Sequence, residues 1–473
     1  VTEESLTAGA AMIIKHFGQS LALTQQSRVL TAKSATLEAT SEAFSPPRVG
    51  DTFNGSTAVK SSSPNISVTP PSAENASPVP ESAASPADVP TTLADFGSSI
   101  EQVKEVPQLS PLEVATLQEL SPTGPPKSVL VFTDIGRDQD DELALSVLAK
   151  FQHMGNIDLK GVVTSLGPSD KRGQLAKGAL RELGLPDVPV AVGSAAGQPT
   201  DKHHDYEFDA PYLADPASLE KDGQAFLKKQ FESADDKSLT LLAVGPMTDL
   251  NTFMVENREL FQQKAEKVVI MGGIVRAEGA VSLTDGYMTP DTANNNTFDK
   301  DASASLYKGL QDLGIPTTVL TKEAAYAAPV DKSFYESLGG TGNEVGERLR
   351  ASQRRSIEGL WNRVIIPFGD EARGGLPERL NRQWFEETFC DAPVPKGAEV
   401  WDSVTKLPVY DALAGLAVLD DAQSSKLFSP TTVEVNGTSH RVIGLSKDDE
   451  GMGRINSKLA MAALSKSVML DNR

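Results

Sequence analysis

A short apolar run, Val129-Leu-Val-Phe-Thr, delivers the chain into Asp134-Ile-Gly136-Arg-Asp138-Gln-Asp140-Asp141, after which Glu142-Leu-Ala-Leu145 resumes apolar residues at helical spacing. Four aspartates thus fall within eight residues at the carboxyl end of an expected buried strand, with Gly136 in the turn and a helix to follow. Carboxylates packed so closely repel one another unless a cation neutralises them, and hard oxygen donors suit Ca²⁺ or Mg²⁺. Capping of a helix N-terminus accounts for one or two of these acids, not for four. The pattern therefore predicts a divalent-cation site opening at Asp134.

The rest of the chain divides sharply. Residues 1 to 126 hold no Trp or Tyr and only four Phe, and run through Ser-, Thr- and Pro-rich stretches such as Lys60-Ser-Ser-Ser-Pro64 and Val79-Pro-Glu-Ser-Ala-Ala-Ser-Pro86. Too little apolar surface is present to offset ordering entropy, so this segment is expected to be disordered, with one amphipathic stretch at Glu4–Leu23 and a Pro-rich exit at 122–126. From residue 127 to 473 all three Trp and all seven Tyr appear. β-Branched runs at Ser128–Thr133, Leu159–Ser165, Val188–Val192, Leu239–Val244, Lys267–Met271 and Thr317–Thr321 read as buried parallel strands. Helical patterns at Asp141–His153, Lys171–Leu183, Ser218–Ser233, Met247–Lys264 and Lys300–Leu313 separate them. The alternation predicts an α/β fold, an open and mostly parallel doubly wound sheet, whose ligands sit beyond the carboxyl ends of its strands. Residues 325 to 400, with a helix expected at Asn343–Glu358, read as a helical cap insertion; Val409–Leu419 reads as a helix and Thr432–Gly444 as a hairpin around Asn436-Gly437.

The charge balance narrows the partners. A formal net charge of −20 and a sequence pI near 4.8 argue against a nucleic-acid-binding surface. The single Cys390 excludes an internal disulfide framework and Cys-based zinc, and reads as a partly buried structural thiol. No apolar run reaches membrane-spanning length, and the first residues lack the basic and apolar regions of a Sec-type signal peptide. A chain beginning with Val1 rather than Met suggests that the true start lies upstream.

Further motifs follow in order: Leu241-Leu-Ala-Val-Gly-Pro-Met-Thr-Asp-Leu250, Val268-Val-Ile-Met-Gly-Gly273, Thr289-Pro-Asp-Thr-Ala-Asn-Asn-Asn-Thr-Phe-Asp299 and Pro408-Val-Tyr-Asp411-Ala-Leu-Ala. Together with the aspartate run, these resemble the inosine–uridine-preferring nucleoside hydrolases over about residues 129–443. The resemblance implies a nucleoside hydrolase-like domain that cleaves N-glycosidic bonds of ribosides with Ca²⁺. It places Asp134 and/or Asp138, Asp141, Asp411 and the Val244 carbonyl on the ion, and Asp140 and Asn295, beside Asn294, on the ribose. His204, next to His203 and Asp205, lies in a loop able to close over the substrate.

Departures from the family pattern bear on the chemistry. The run D-I-G-R-D-Q-D-D puts Gly136 where the family has its general base when aligned without gaps, whereas alignment on the glycine makes Asp134 the base; the base stays open between Asp134 and Asp138. Thr164-Ser-Leu-Gly-Pro168 lacks a ribose-binding asparagine, Ala293 replaces a glutamate, and Tyr410 stands where the family has the histidine that assists the leaving group. A haloacid-dehalogenase-like phosphatase also needs D-x-D here, which Gly136 breaks. Two readings stand: a calcium-dependent N-ribosyl hydrolase, or a catalytically impaired, metal-stabilised module that binds a riboside or a host protein. A Ser/Pro-rich leader ahead of this domain also resembles bacterial type III effectors of the XopQ/HopQ/RipB kind, which implies delivery into the host cell cytoplasm; without that role the chain reads as cytoplasmic. Phosphorylation of Ser61, Ser62 or Ser63 would suit a phosphopeptide-binding host protein such as 14-3-3.

Overall fold

Strand β1 (Lys127–Thr133) is buried from Val129 onward and pairs in parallel with two neighbours, which fixes the centre of the molecule. The computed structural model describes residues 108–473 other than 137, 197–202, 375 and 447. Residues 1–107, which include the Glu4–Leu23 stretch and Ser61–Ser63, lie outside the described residues.

The segment given as disordered to residue 126 includes a helix, α1 (Pro111–Glu119), and Leu120 after it is fully buried. Ser110 accepts from the Glu113 amide at 3.3 Å while the Glu113 carboxylate accepts from the Ser110 amide at 2.6 Å, and Pro111 stands in the first turn. This capping box and the Pro were legible as Ser110-Pro-Leu-Glu113. The folded part therefore begins ahead of the Pro-rich exit.

Eight strands form one sheet in the order β11-β12-β10-β5-β4-β1-β2-β3. Helix α2 (Asp140–Met154) follows β1; β2 (Ile157–Thr164), α3 (Ser169–Glu182) and β3 (Val190–Val192) build one side of it. The chain then crosses back through α4 (Gly223–Ser233) to β4 (Leu239–Ala243) on the other side. The expected single helix Met247–Lys264 is two, α5 (Thr248–Glu256) and α6 (Arg258–Lys264), because Asn257 leaves helical geometry with φ −127° and ψ 44°. Strand β5 (Ala265–Met271) leads into short ribbons β6 (Arg276–Ala277) with β7 (Ala280–Val281) and β8 (Leu283–Thr284) with β9 (Tyr287–Met288). After α7 (Asn294–Phe298), α8 (Lys300–Asp312) precedes β10 (Thr317–Leu320).

The expected cap region is helical: α9 (Lys322–Ala327), α10 (Lys332–Gly339), α11 (Glu344–Val364), α12 (Arg382–Phe389) and α13 (Val400–Ser403). Then come α14 (Tyr410–Leu416), α15 (Asp421–Leu427), the antiparallel pair β11 (Thr431–Val435) and β12 (Thr438–Ile443) around Asn436-Gly437, and α16 (Ser457–Asp471). Within the eight-stranded sheet all pairings other than β11 with β12 are parallel. Two apolar clusters, one on each face, bury the strands from both sides, as their unbroken Val, Ile and Leu runs require. Cys390 is buried, and Trp361 packs against Phe385 at 5.0 Å between ring centres.

Candidate metal centre

The order of winding reverses between the parallel neighbours β1 and β4: β2 and β3 are added beyond β1 on one side, and β5 and β10 beyond β4 on the other. Such a switch point leaves a crevice at the carboxyl ends of the two strands. Asp134 follows β1 and Val244 follows β4, and the two ends are laced by the Val244 amide donating to the Phe132 carbonyl at 2.8 Å. A Cβ on Gly245 would lie 2.8 Å from the Asp134 nitrogen and 2.9 Å from its Oδ1, so only glycine lets β4's exit pass so near Asp134.

Into this crevice the first turns of α2 and α14 project Asp140, Asp141 and Asp411, all buried, with one carboxylate oxygen of each within 4.8 Å of the others. Asp140 Oδ2 accepts from the amides of Tyr410 at 3.0 Å and Asp411 at 3.2 Å, which docks the two helix ends together. The Thr133 hydroxyl donates to Asp141 Oδ1. Burial pushes the Asp140 carboxyl from 3.8 up to about 7, helped by the charge of Asp138. Asp141 and Asp411 are held well above the ordinary carboxylate range, first by burial and then by the surrounding carboxylates, Asp134 among them. Buried carboxyls that resist ionising alone are the donor set a divalent cation would satisfy, and oxygen-only ligands fit Ca²⁺ or Mg²⁺. The residues present therefore fit such an ion.

The remaining expected residues take distinct places. Asp134 is buried beside the cluster, and its charge acts on Asp141 and Asp411; Asp138 is exposed at the turn. Asn295 donates to the carbonyls of Val244 at 2.9 Å and Met271 at 3.0 Å, whereas Asn294 is exposed. Tyr410 packs edge-on to Tyr326 with ring centres 6.1 Å apart, and burial holds its hydroxyl protonated far above neutrality. His204 is exposed and stacks on Tyr206 at 5.2 Å. Arg354 and Arg355 are exposed on α11 and paired with Glu358, Glu399 and Asp209.

Sequence reasoning missed the residues that hold this crevice in shape. Arg172, almost wholly buried, donates to the backbone carbonyls of Asp134 and Ile135 at 2.9 Å each, to Leu166 at 3.1 Å, and pairs with Glu207 at 3.2 Å. Arg348 of α11 pairs with Glu142 of α2 and donates to the Glu207 carbonyl at 2.7 Å; the Tyr212 hydroxyl bonds the same Glu142. These buried ion pairs tie the His204 loop and the helical cap to the aspartate turn. An arginine four residues past Pro168 carries no motif of its own, and nothing in the sequence marks Glu207 or Glu142 as the buried acids that Arg172 and Arg348 meet.

Fold and crevice together define an open α/β protein with an oxygen-donor pocket for a divalent cation at its switch point. The chain belongs to the inosine-uridine preferring nucleoside hydrolase family, whose family model matches residues 129–462, and is thereby an N-ribosyl hydrolase by family. It is 27% identical over 229 residues to the pyrimidine-specific ribonucleoside hydrolase RihA of Photobacterium profundum, covering 46% of this chain and 68% of that protein. The RihA of Shewanella sp. (strain ANA-3) is 26% identical over 295 residues, 59% of this chain and 86% of that one. Among solved structures, the type III effector protein XopQ complexed with adenosine diphosphate ribose is 32% identical, with a TM-score of 0.66, over 76% of this chain and all of that one (100%). The effector protein XOO4466 is also 32% identical, with a TM-score of 0.63 and the same coverage. Among the described residues, no helix is long and apolar enough to cross a membrane.

Proposed function

We propose that this chain hydrolyses the N-glycosidic bond of a ribonucleoside or related riboside with Ca²⁺ as its ion, as a bacterial effector acting in the host cell. The observation that carries the reading is the convergence of Asp140 and Asp141 with Asp411 from a distant stretch of chain at the switch-point crevice. Asp141, Asp411, the Val244 carbonyl and Asp134 and/or Asp138 would hold the ion, with Asp140 near enough to share it. A bound Ca²⁺ supplies Lewis-acid activation of water and a seat for vicinal ribose hydroxyls.

The chain's own residues do the rest. Asp134 or Asp138 takes the proton of the attacking water, whose oxygen bonds to C1′ as the C1′–N pair leaves with the base. Asp140, Asn294 and Asn295 hydrogen-bond the ribose, and His204 borders the substrate from its loop. Tyr410, kept protonated by burial, offers a hydrogen bond to the departing base. Likeness to the effectors XopQ and XOO4466 supports delivery into the host cytoplasm, where phosphorylated Ser61, Ser62 or Ser63 would recruit a 14-3-3 protein. Unchanged 14-3-3 binding by S61A/S62A/S63A would end that last point.

A second reading, a riboside-binding module with impaired turnover, is favoured by Gly136, Ala293 and Tyr410 standing where the family has a base, a glutamate and a histidine. One assay separates the two. The full chain is incubated with Ca²⁺ and a panel of nucleosides, nucleotides and ADP-ribose, following free base and bound ligand, with Asp141→Ala as control. Base release that the control abolishes supports hydrolysis, binding without release supports the module, and no response to any riboside contradicts both.

A further inference from the structure

From the first turn of α3 the Arg172 side chain runs into the interior, where its guanidinium meets five acceptors. Nη1 donates to the Asp134 and Ile135 carbonyls at 2.9 Å each, on the turn that leaves β1. Nε and Nη2 hold the Leu166 and Gly167 carbonyls at 3.1 and 3.4 Å, and Nη2 also reaches Glu207 Oε2 at 3.2 Å. A cation this deeply buried persists when hydrogen bonds surround it and an acid pairs with it. Glu207 supplies the acid, and it is itself buried.

Glu207 belongs to the loop that carries His204, and its carboxylate has a second partner there. Oε1 accepts from the His204 amide at 2.9 Å while the Glu207 amide donates to the His204 carbonyl at 3.0 Å, so the turn closes on itself. This turn lies directly against the aspartate run: a Cβ at Gly136 would meet the Glu207 carbonyl at 2.9 Å and the Phe208 ring at 3.2 Å. Beyond Arg172, the Ile135 amide donates to the Thr133 hydroxyl at 3.1 Å, and that hydroxyl donates to Asp141. Unbroken contacts therefore run from the loop acid, through one guanidinium, to the backbone of Asp134 and on to the Asp141 carboxylate.

We propose that Arg172 is a positioning residue for the divalent ion, through which seating of the His204 loop and binding of the ion reinforce each other. The inference rests on the ion seat described under the proposed function and adds a control on its affinity from Glu207, a residue outside the ligand set. Glu207 fixes the guanidinium, the guanidinium fixes the Asp134 and Ile135 carbonyls, and the carboxylates that follow are aimed by that backbone. Such linkage is reciprocal: if a seated loop raises affinity for the ion, the ion holds the loop seated by the same factor.

The test compares the full chain with variants of it. Glu207→Gln keeps the shape and removes the charge that Arg172 pairs with. Arg172→Lys keeps the charge but brings a single nitrogen to those acceptors, and it carries the test if Glu207→Gln does not fold. Phe231→Leu, a core change in the apolar cluster on the sheet's other face, supplies a general loss of stability for comparison. Ca²⁺ is titrated by calorimetry, and hydrogen exchange at the His204 and Glu207 amides is followed with and without Ca²⁺. Affinity for Ca²⁺ should fall about five-fold or more in Glu207→Gln and Arg172→Lys, and stay within about two-fold of wild type in Phe231→Leu. Ca²⁺ should slow both amides about five-fold or more in wild type and by less in the Glu207 and Arg172 variants. Affinity that those two variants leave intact, or that Phe231→Leu lowers as much, overturns the proposal and leaves the ion seat standing. Exchange in wild type that bound Ca²⁺ does not slow has the same consequence. Wild type that binds no Ca²⁺ at all overturns the ion seat and the coupling together.

Discussion

Asn295 donates from its amide to the Val244 carbonyl oxygen at 2.9 Å, and from the same nitrogen to Met271 at 3.0 Å, so one side chain ties the exits of β4 and β5 together. The Val244 carbonyl is thereby aimed by a neighbour rather than by its strand alone. Asn295→Ala should weaken divalent-cation affinity about 10–100-fold, the usual effect of removing a group that orients a ligand. Cation-induced thermal shifts across a Ca²⁺ series would measure it. An unchanged midpoint would mean that Val244 contributes nothing to the ion.

Metal-free protein should be limited by its own carboxylates. Asp141 is buried among Asp134, Asp140 and Asp411, and the neighbouring carboxylate charges oppose its ionisation. Asp141→Asn removes one of them and keeps the shape, so it should stabilise the metal-free protein by about 1 kcal/mol or more, while abolishing the gain on adding Ca²⁺. Thermal unfolding with and without Ca²⁺ gives both signs. A variant that loses stability without metal and still responds to it would contradict the cluster.

The pH dependence follows with a definite sign. The Asp140 carboxyl sits at about 7 in the folded protein against an ordinary 3.8. Between those values the unfolded chain has released a proton that the folded chain keeps, so the contribution of Asp140 to metal-free stability is fully present below 3.8 and is lost as pH rises to 7. A divalent cation competes with that proton. The rise in Tm on adding Ca²⁺ should therefore be small near pH ~5 and grow steadily to pH ~8; a rise independent of pH would count against proton and ion sharing one site.

Arg348 and Glu142 form a fully buried pair joining α11 to α2. Arg348→Met should lower stability by about 3–5 kcal/mol because Glu142 is left charged with only Tyr212 as a neutral partner. Adding Glu142→Gln should recover much of the loss. Urea unfolding of the single and double variants checks both, and a double variant as unstable as the single would place the loss in packing instead.

Much of the architecture was legible because buried parallel strands write themselves as apolar runs: β1, β2, β4, β5 and β10 fall within two residues of their expected bounds. The Asp134–Asp141 run and Asp411 were legible because few other arrangements place so many acids at a strand end. Depth was not. Sequence spacing cannot tell that Asp138 faces solvent while Asp140 turns inward to accept the Tyr410 and Asp411 amides. Arg172 and Arg348 were invisible for the same reason, since long cationic side chains are usually exposed and only tertiary packing reveals a buried acid waiting for them. Helix α1 was obscured by its Ser- and Pro-rich surroundings, although its capping box was in plain view.

In the proposed function, side chains from residues 134–141 and from Asp411 close on a single divalent ion. Calorimetric titration of Ca²⁺ into the full chain at pH 7.5 (about neutral, above the Asp140 value) tests it directly, with Asp141→Ala and Asp411→Ala measured alongside wild type. Wild type should bind one ion per chain, and either variant should lose it. Binding that persists undiminished when Asp411 is removed would contradict it.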